Sequence, residues 1–152
     1  MSQELAAPTD RSAVDISLLV VRVIVGVIFA AHGAQKLFGI WGGSGLAATV
    51  EQMGPFLGYS VTIGEFFGGL GLIVGFLTRF SSASLIVIMI GAIVTYHGPN
   101  GFFMKTNGFE YNLALIGLLV PILLIGPGRY SIGRFLPLPK RAGTDRPILV
   151  LE

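Results

Sequence analysis

Apolar residues dominate four stretches of this chain, near 16–38, 59–77, 80–96 and 111–126, with polar side chains gathered between them. Each is close to the roughly 20 residues that a helix rising 1.5 Å per residue needs to cross a bilayer. Charge follows the same division: residues 80–104 and 111–128 carry no formal charge, and 52–78 carry only Glu65. The pattern predicts an all-α integral membrane protein with four transmembrane helices. Strand-type alternation at ten-residue spacing is absent, which argues against a membrane β-barrel. The first connection is long and glycine-rich, with Trp41, Phe56 and Tyr59 as interfacial anchors and a short helix over 46–53. Thr78-Arg79 reads as a tight turn, and the sequence GPNGFFMKTNGF at 98–109 reads as a loop closing the outer end.

Small or polar residues recur within each span at alternating steps of four and three. The stripes are Arg22, Gly26, Phe29, Gly33, Lys36; Gly64, Gly68, Gly71, Gly75; Ser84, Ile88, Gly91, Thr95; and Glu110, Ala114, Gly117, Pro121. That spacing makes a seam on a gently supercoiled helix, so the stripes predict a left-handed four-helix bundle with small residues inside and Leu, Ile and Val toward lipid. Pro121 is expected to kink the last helix.

Composition agrees. The chain has 152 residues, 53% hydrophobic and only 12% charged, and 22 glycines, with a mean hydropathy of +0.79. The absence of cysteine excludes disulfides, thiol catalysis and cysteine-held clusters. Basic residues set the orientation: Arg11, Arg22, Arg79, Arg129, Arg134, Lys140, Arg141 and Arg146 fall toward one side and only Lys36 and Lys105 toward the other, predicting both termini inside. The domains are then a cytosolic tail at 1–15, a transmembrane domain at 16–134 and a basic cytosolic tail at 135–152. The pI of 9.2 reflects this bias and a tail resting on anionic headgroups. Nucleic acid is not an expected partner. Gly43-Ser-Gly-Leu-Ala-Ala48 fits a dinucleotide fingerprint in letters, but it lacks the strand before it and the βαβ unit around it.

Ionisable side chains within apolar spans cost roughly 2.5–3.5 kcal/mol each at mid-helix, which makes each a candidate for function. His32 lies six residues before the outer end of the first span and Glu65 six after the outer start of the second, a depth of roughly 9 Å by helical rise. Lys36 is one turn above His32, Gln35 adds a neutral donor and acceptor, and His97 and Glu110 end the third and fourth spans. These residues are expected to converge on one outer-leaflet cavity, with Glu65 and His32 transferring protons. Each also has a plainer role: Glu65 as half of an ion pair with Lys36, Lys36 snorkelling outward, and His97 and Glu110 at the interface where charge is cheap. Arg22 stands apart at the cytoplasmic end, where it either serves function, snorkels, or caps carbonyls freed by Pro121. His32 and His97 would allow one bis-His haem, and with Glu65 and Glu110 a metal, but neither is expected.

The Arg22, His32-Gly-Ala-Gln-Lys-Leu-Phe-Gly39, Gly64-Glu-Phe-Phe-Gly-Gly69, Gly75, Thr78-Arg79, His97, Glu110-Tyr111 and Gly126-Pro-Gly-Arg-Tyr-Ser131 blocks together resemble the DoxX family of small four-helix membrane proteins. Where family members commonly carry an acidic residue after the closing Tyr-Ser, this chain has Ile132-Gly133. The resemblance implies a relative of quinol oxidase and thiosulfate:quinone oxidoreductase membrane subunits, located in the bacterial inner membrane, and supports His32, Gln35, Lys36 and Glu65 as a site. The leading expectation is a redox-linked subunit that binds quinone or quinol as its candidate cofactor. Gln35, Lys36, Phe29, Phe66, Phe67, His97 and Glu110 would line the ligand, beside a lipid bilayer and a partner redox protein. Self-association is compatible with this reading. The alternatives are a non-catalytic anchor or assembly factor, and a small transporter or channel gated by Arg22 and Glu65.

Overall fold

A computed structural model describes residues 11–135, so the basic tail residues Lys140, Arg141 and Arg146 and most of the 1–15 segment lie outside the described residues. Five α-helices carry the fold among the described residues, and no strand occurs there. Helix α1 spans Arg11–Phe38, α2 Gly45–Met53, α3 Pro55–Val74, α4 Thr78–Ala92 and α5 Glu110–Ile125. Helix α1 begins earlier than the apolar run, taking in Arg11 and Asp15, because helical geometry continues past the point where hydrophobicity ends. Helix α4 passes into a π-type turn at Ile93–His97 and a 3-10 turn at Gly98–Asn100.

Local chemistry places the ends. Pro55 opens α3 where a missing N–H costs nothing. Gly75, at φ +77, closes α3, its N–H and that of Phe76 both donating to the Gly71 carbonyl at 2.9 Å. The turn to α4 therefore occupies 75–77, before the Thr78-Arg79 pair expected to make it.

The long helices run antiparallel to their neighbours. A Cβ on Gly26 or Gly69 would overlap backbone of the facing helix, and one on Gly33 would overlap the Phe66 backbone, so α1 and α3 touch nearly main chain to main chain. Gly64, Gly68 and Gly71 form a second face of α3, against Ile88, Leu85 and Ser81 of α4. Val25, Phe29, Leu72, Leu85, Met89, Leu115, Leu119 and Ile122 make one core fed by α1, α3, α4 and α5.

The stripes expected on the last two spans do not face inward. On α4 the buried line is Ser81, Ser82, Leu85, Met89, and on α5 it is Asn112, Leu115, Leu119, Ile122. Gly91 and Gly117 have no atom within 4 Å of an added Cβ, and Thr95, Ala114 and Pro121 are exposed. These two helices meet the core through Leu, Met and Ile, a wider contact that has no use for glycine. Helix α5 continues through Pro121 to Ile125.

Among the described residues three helices, Arg11–Phe38, Pro55–Val74 and Thr78–Asn100, are long and apolar enough to cross a membrane; Glu110–Ile125 is shorter. Ile24, Val87, Val94 and Leu124 are exposed while Arg22, Thr62, Glu65, Thr78 and Asn112 are buried. This inversion of the soluble pattern is that of a membrane protein whose solvent is lipid.

Candidate functional site

At the Phe38 end of α1, Lys36 reaches across to α3 and its Nζ donates to Glu65 Oε2 at 2.5 Å. Close packing at Gly33 brings the two helices near enough for this reach. Glu65 is 4% exposed, but the Lys36 side chain keeps 27% of its surface open, so the pair is a buried carboxylate with its cation at the rim. An aromatic run borders it: Phe66 packs edge-on against Phe38 at 5.5 Å and against Phe67 at 5.2 Å between centroids. Phe29, expected to contact a ligand, is instead fully enclosed in the core.

His32 looks toward a different helix. It is exposed, makes no hydrogen bond among the described residues, and lines a groove of about 350 Å³ between α1 and α5. The groove is completed by Val27, Ile28, Ala31, Gln35, Trp41 and Tyr111. After Phe38 the chain turns sharply through Gly39 and Gly42, both at positive φ, and carries Trp41 back toward Gln35. Gln35 Nε2 donates to the Trp41 carbonyl at 3.3 Å. Trp41 itself holds φ +51 and is 72% exposed, a left-handed conformation that costs a non-glycine residue about 1–3 kcal/mol.

His97 and Glu110 do not join Glu65. His97 Nδ1 lies 2.9 Å from the Asn107 carbonyl, and Glu110 Oε2 accepts the Met104 N–H at 2.9 Å. Both brace the loop between α4 and α5, a role the expected convergence of all five ionisable residues overlooked. No group of three or more His, Cys, Asp and Glu suited to a metal ion occurs among the described residues.

At the opposite end, Arg22 is 1% exposed. Its Nη2 donates to the Tyr130 carbonyl at 2.5 Å and its Nη1 to the Pro127 carbonyl at 3.3 Å. The carbonyls it caps thus lie beyond the end of α5 and not beside Pro121, because the segment after Gly126 folds back across α1. Gly75 is required there: a Cβ would overlap Arg22 Nη1 and Ser131. Asp15 Oδ1 accepts the Arg129 N–H at 2.9 Å, and Gly133 N–H donates to the Gly75 carbonyl at 3.1 Å, tying the same segment to α1 and to the α3–α4 turn.

The DoxX family model matches residues 17–98, from the second turn of α1 to just past the π-type turn that follows α4. The chain belongs to the DoxX family. Among DoxX-like relatives it is 30% identical to the inner membrane protein YqjF of Escherichia coli K12, over 80% of this chain and 93% of that one. It is 28% identical to the membrane protein Rv3486 of Mycobacterium tuberculosis H37Rv, over 79% of this chain and 81% of that one. The protein named putative oxidoreductase CatD of Bacillus subtilis 168 is 31% identical, over 68% of this chain and 76% of its own. No solved structure matches.

The DoxX match encloses Arg22, His32, Gln35, Lys36, Trp41, Glu65 and His97, whereas Tyr111 lies beyond it. Sequence reasoning missed Trp41 and Tyr111 as neighbours of His32. The available signal was Gly39, which can reverse the chain and bring Trp41 back over Gln35. It also missed Asn112, buried in the core with Nδ2 3.4 Å from Met89 Sδ, and Arg79, whose Nη2 donates to the carbonyls of Leu124 and Ile125 at 3.1 and 3.2 Å.

Proposed function

We propose that this DoxX-family chain is a redox-linked, quinone- or quinol-binding subunit of the bacterial inner membrane, with Lys36 and Glu65 as its proton-handling pair. In this reading α1, α3, α4 and α5 cross the bilayer as a left-handed four-helix bundle with both termini inside. The domain then covers 16–134 between two cytosolic tails, and the Phe38 end lies in the outer half.

One observation carries the reading: a carboxylate buried among apolar helices is held by a single ammonium that reaches the surface. A buried carboxylate is costly without a charged partner, and a partner at the rim can swing outward and leave the carboxylate free to take a proton. Oxidation of a quinol yields quinone, two protons and two electrons. His32 takes one proton from the quinol, and Glu65 takes up the other as Lys36 releases the carboxylate. The electrons pass to a partner redox subunit or its bound cofactor. The printed name of the Bacillus subtilis relative, putative oxidoreductase, agrees with this class of chemistry.

The test is quinone-dependent turnover of the protein with its partner in proteoliposomes. Glu65→Gln keeps the shape and a hydrogen bond but cannot take a proton, and turnover is expected to fall at least tenfold. Unchanged turnover overturns the role of Glu65.

A second reading rests on the same pair. Lys36 already satisfies Glu65, as it would in an anchor or assembly factor whose ion pair only locks α1 to α3. Under that reading Glu65→Gln lowers the melting temperature and leaves both turnover and partner capture intact.

A further inference from the structure

Two grooves separate α1 from α5, and they differ in chemistry. The one at the Arg11 end, between 13–21 of α1 and Pro121 and Ile125 of α5, is apolar apart from Ser17. Acyl chains fill such a surface without needing hydrogen bonds. The groove at the Phe38 end combines an apolar floor with an imidazole, an amide, an indole and a phenol, supplied by His32, Gln35, Trp41 and Tyr111.

Lipid tails alone suit this second groove poorly. His32 sits six residues inside an apolar helix, is exposed, and makes no hydrogen bond among the described residues. An imidazole facing hydrocarbon without a partner is costly. Trp41 is strained into the left-handed region and its carbonyl is tethered by Gln35, so a fixed turn sets its backbone at the rim of the groove. Strain of this kind gathers at ligand clamps. An occupant matching the imidazole, the indole and the phenol has a flat ring for the aromatic walls, an oxygen substituent for the imidazole, and enough apolar character to arrive through lipid. The volume, about 350 Å³, lies in the range of small-ligand pockets.

We infer that the ring of a lipid-borne quinone or quinol binds in the groove between α1 and α5, hydrogen-bonded to His32 and flanked by Trp41 and Tyr111, and not against the Lys36–Glu65 pair. The inference rests on the quinone reading for the identity of the ring. It adds Trp41 and Tyr111 as binding residues and leaves the Lys36–Glu65 pair, between α1 and α3, as the place to which a proton goes afterwards.

The chain contains one tryptophan, and it is Trp41. Its fluorescence therefore reports on this groove alone. Purified protein in nanodiscs is titrated with a decyl-substituted benzoquinone. The expected result is saturable quenching, with half-saturation shifted at least tenfold upward in His32→Ala and in Tyr111→Leu and less than twofold in Glu65→Gln. His32 is exposed, so His32→Ala leaves packing intact; melting curves confirm this for both groove variants. If half-saturation shifts in Glu65→Gln but not in His32→Ala, the ring binds at the ion pair; the groove assignment fails while the quinone reading stands. Quenching that rises linearly with quinone in all proteins reports partition into lipid, and both fail.

Discussion

At the scale of single residues, the Lys36–Glu65 pair shows what one-dimensional depth can and cannot say. Helical rise put His32 and Glu65 at one level and Lys36 one turn above, yet it is Lys36 that meets Glu65. Four residues apart, Lys36 and His32 share nearly one face of the helix, but Lys36 reaches toward α3 while His32 lines the groove toward α5. The energetics follow from burial. Removing one partner of a buried pair strands the other, whereas removing both leaves an apolar contact. Lys36→Met is therefore expected to lower unfolding stability by about 3 kcal/mol, somewhat less than for a fully enclosed pair because Lys36 is partly open. The double variant Lys36→Met with Glu65→Leu is expected to recover most of that loss. A detergent unfolding cycle over the two singles and the double measures the coupling directly. Additive losses would show that the contact carries no energy of its own.

At the scale of helices, glycine has two meanings in this chain that spacing does not separate. Gly33 and Gly69 sit where a Cβ would overlap the backbone of the facing helix, so the stripe on α1 marks a true seam. Gly91 and Gly117 show the same spacing and face outward, with no neighbour within reach of a Cβ. A periodicity reveals that small residues share a face but not whether another helix lies on it; on α4 and α5 the neighbour is found by Leu85, Met89, Leu115 and Leu119 instead. The consequence is measurable. Gly33→Ala and Gly69→Ala each require the α1–α3 seam to open and are expected to cost about 1–3 kcal/mol. Gly91→Ala and Gly117→Ala are expected to be neutral or to stabilise by up to about 1 kcal/mol, as alanine favours helix over glycine. Thermal unfolding of the four variants in one detergent decides it, and equal losses at all four sites would contradict the packing described.

At the scale of the whole molecule, the apolar runs were legible because hydrophobicity is a sum over many residues, and the element order follows them closely. The ends were less so: the fold-back after Gly126, which Arg22 and Asp15 hold, depends on backbone carbonyls and an N–H that have no signature in side-chain sequence. That fold-back bears on topology. It puts the start of α1, the α3–α4 turn and the chain after α5 at one end, which requires an even number of crossings if α5 spans. With 16 residues, α5 reaches only about 24 Å along its axis, short of the roughly 30 Å hydrocarbon core. Arg79, capping the last carbonyls of α5 from α4, and Glu110, anchored in the loop at its start, lessen the cost by satisfying groups near both boundaries. A chain without cysteine makes the topology directly testable. Cysteines introduced singly at the exposed positions Ala13, Met104 and Tyr130 are expected to divide cleanly in intact cells whose outer membrane has been opened. Met104→Cys should react with a membrane-impermeant maleimide, while Ala13→Cys and Tyr130→Cys should react only after lysis. Labelling of Tyr130→Cys together with Met104→Cys would show that α5 does not cross, which would move the closing segment to the outer side and separate it from Arg22. The contact between Arg22 and the Tyr130 carbonyl thus links the two results: four crossings and an intact Arg22 grip stand or fall together.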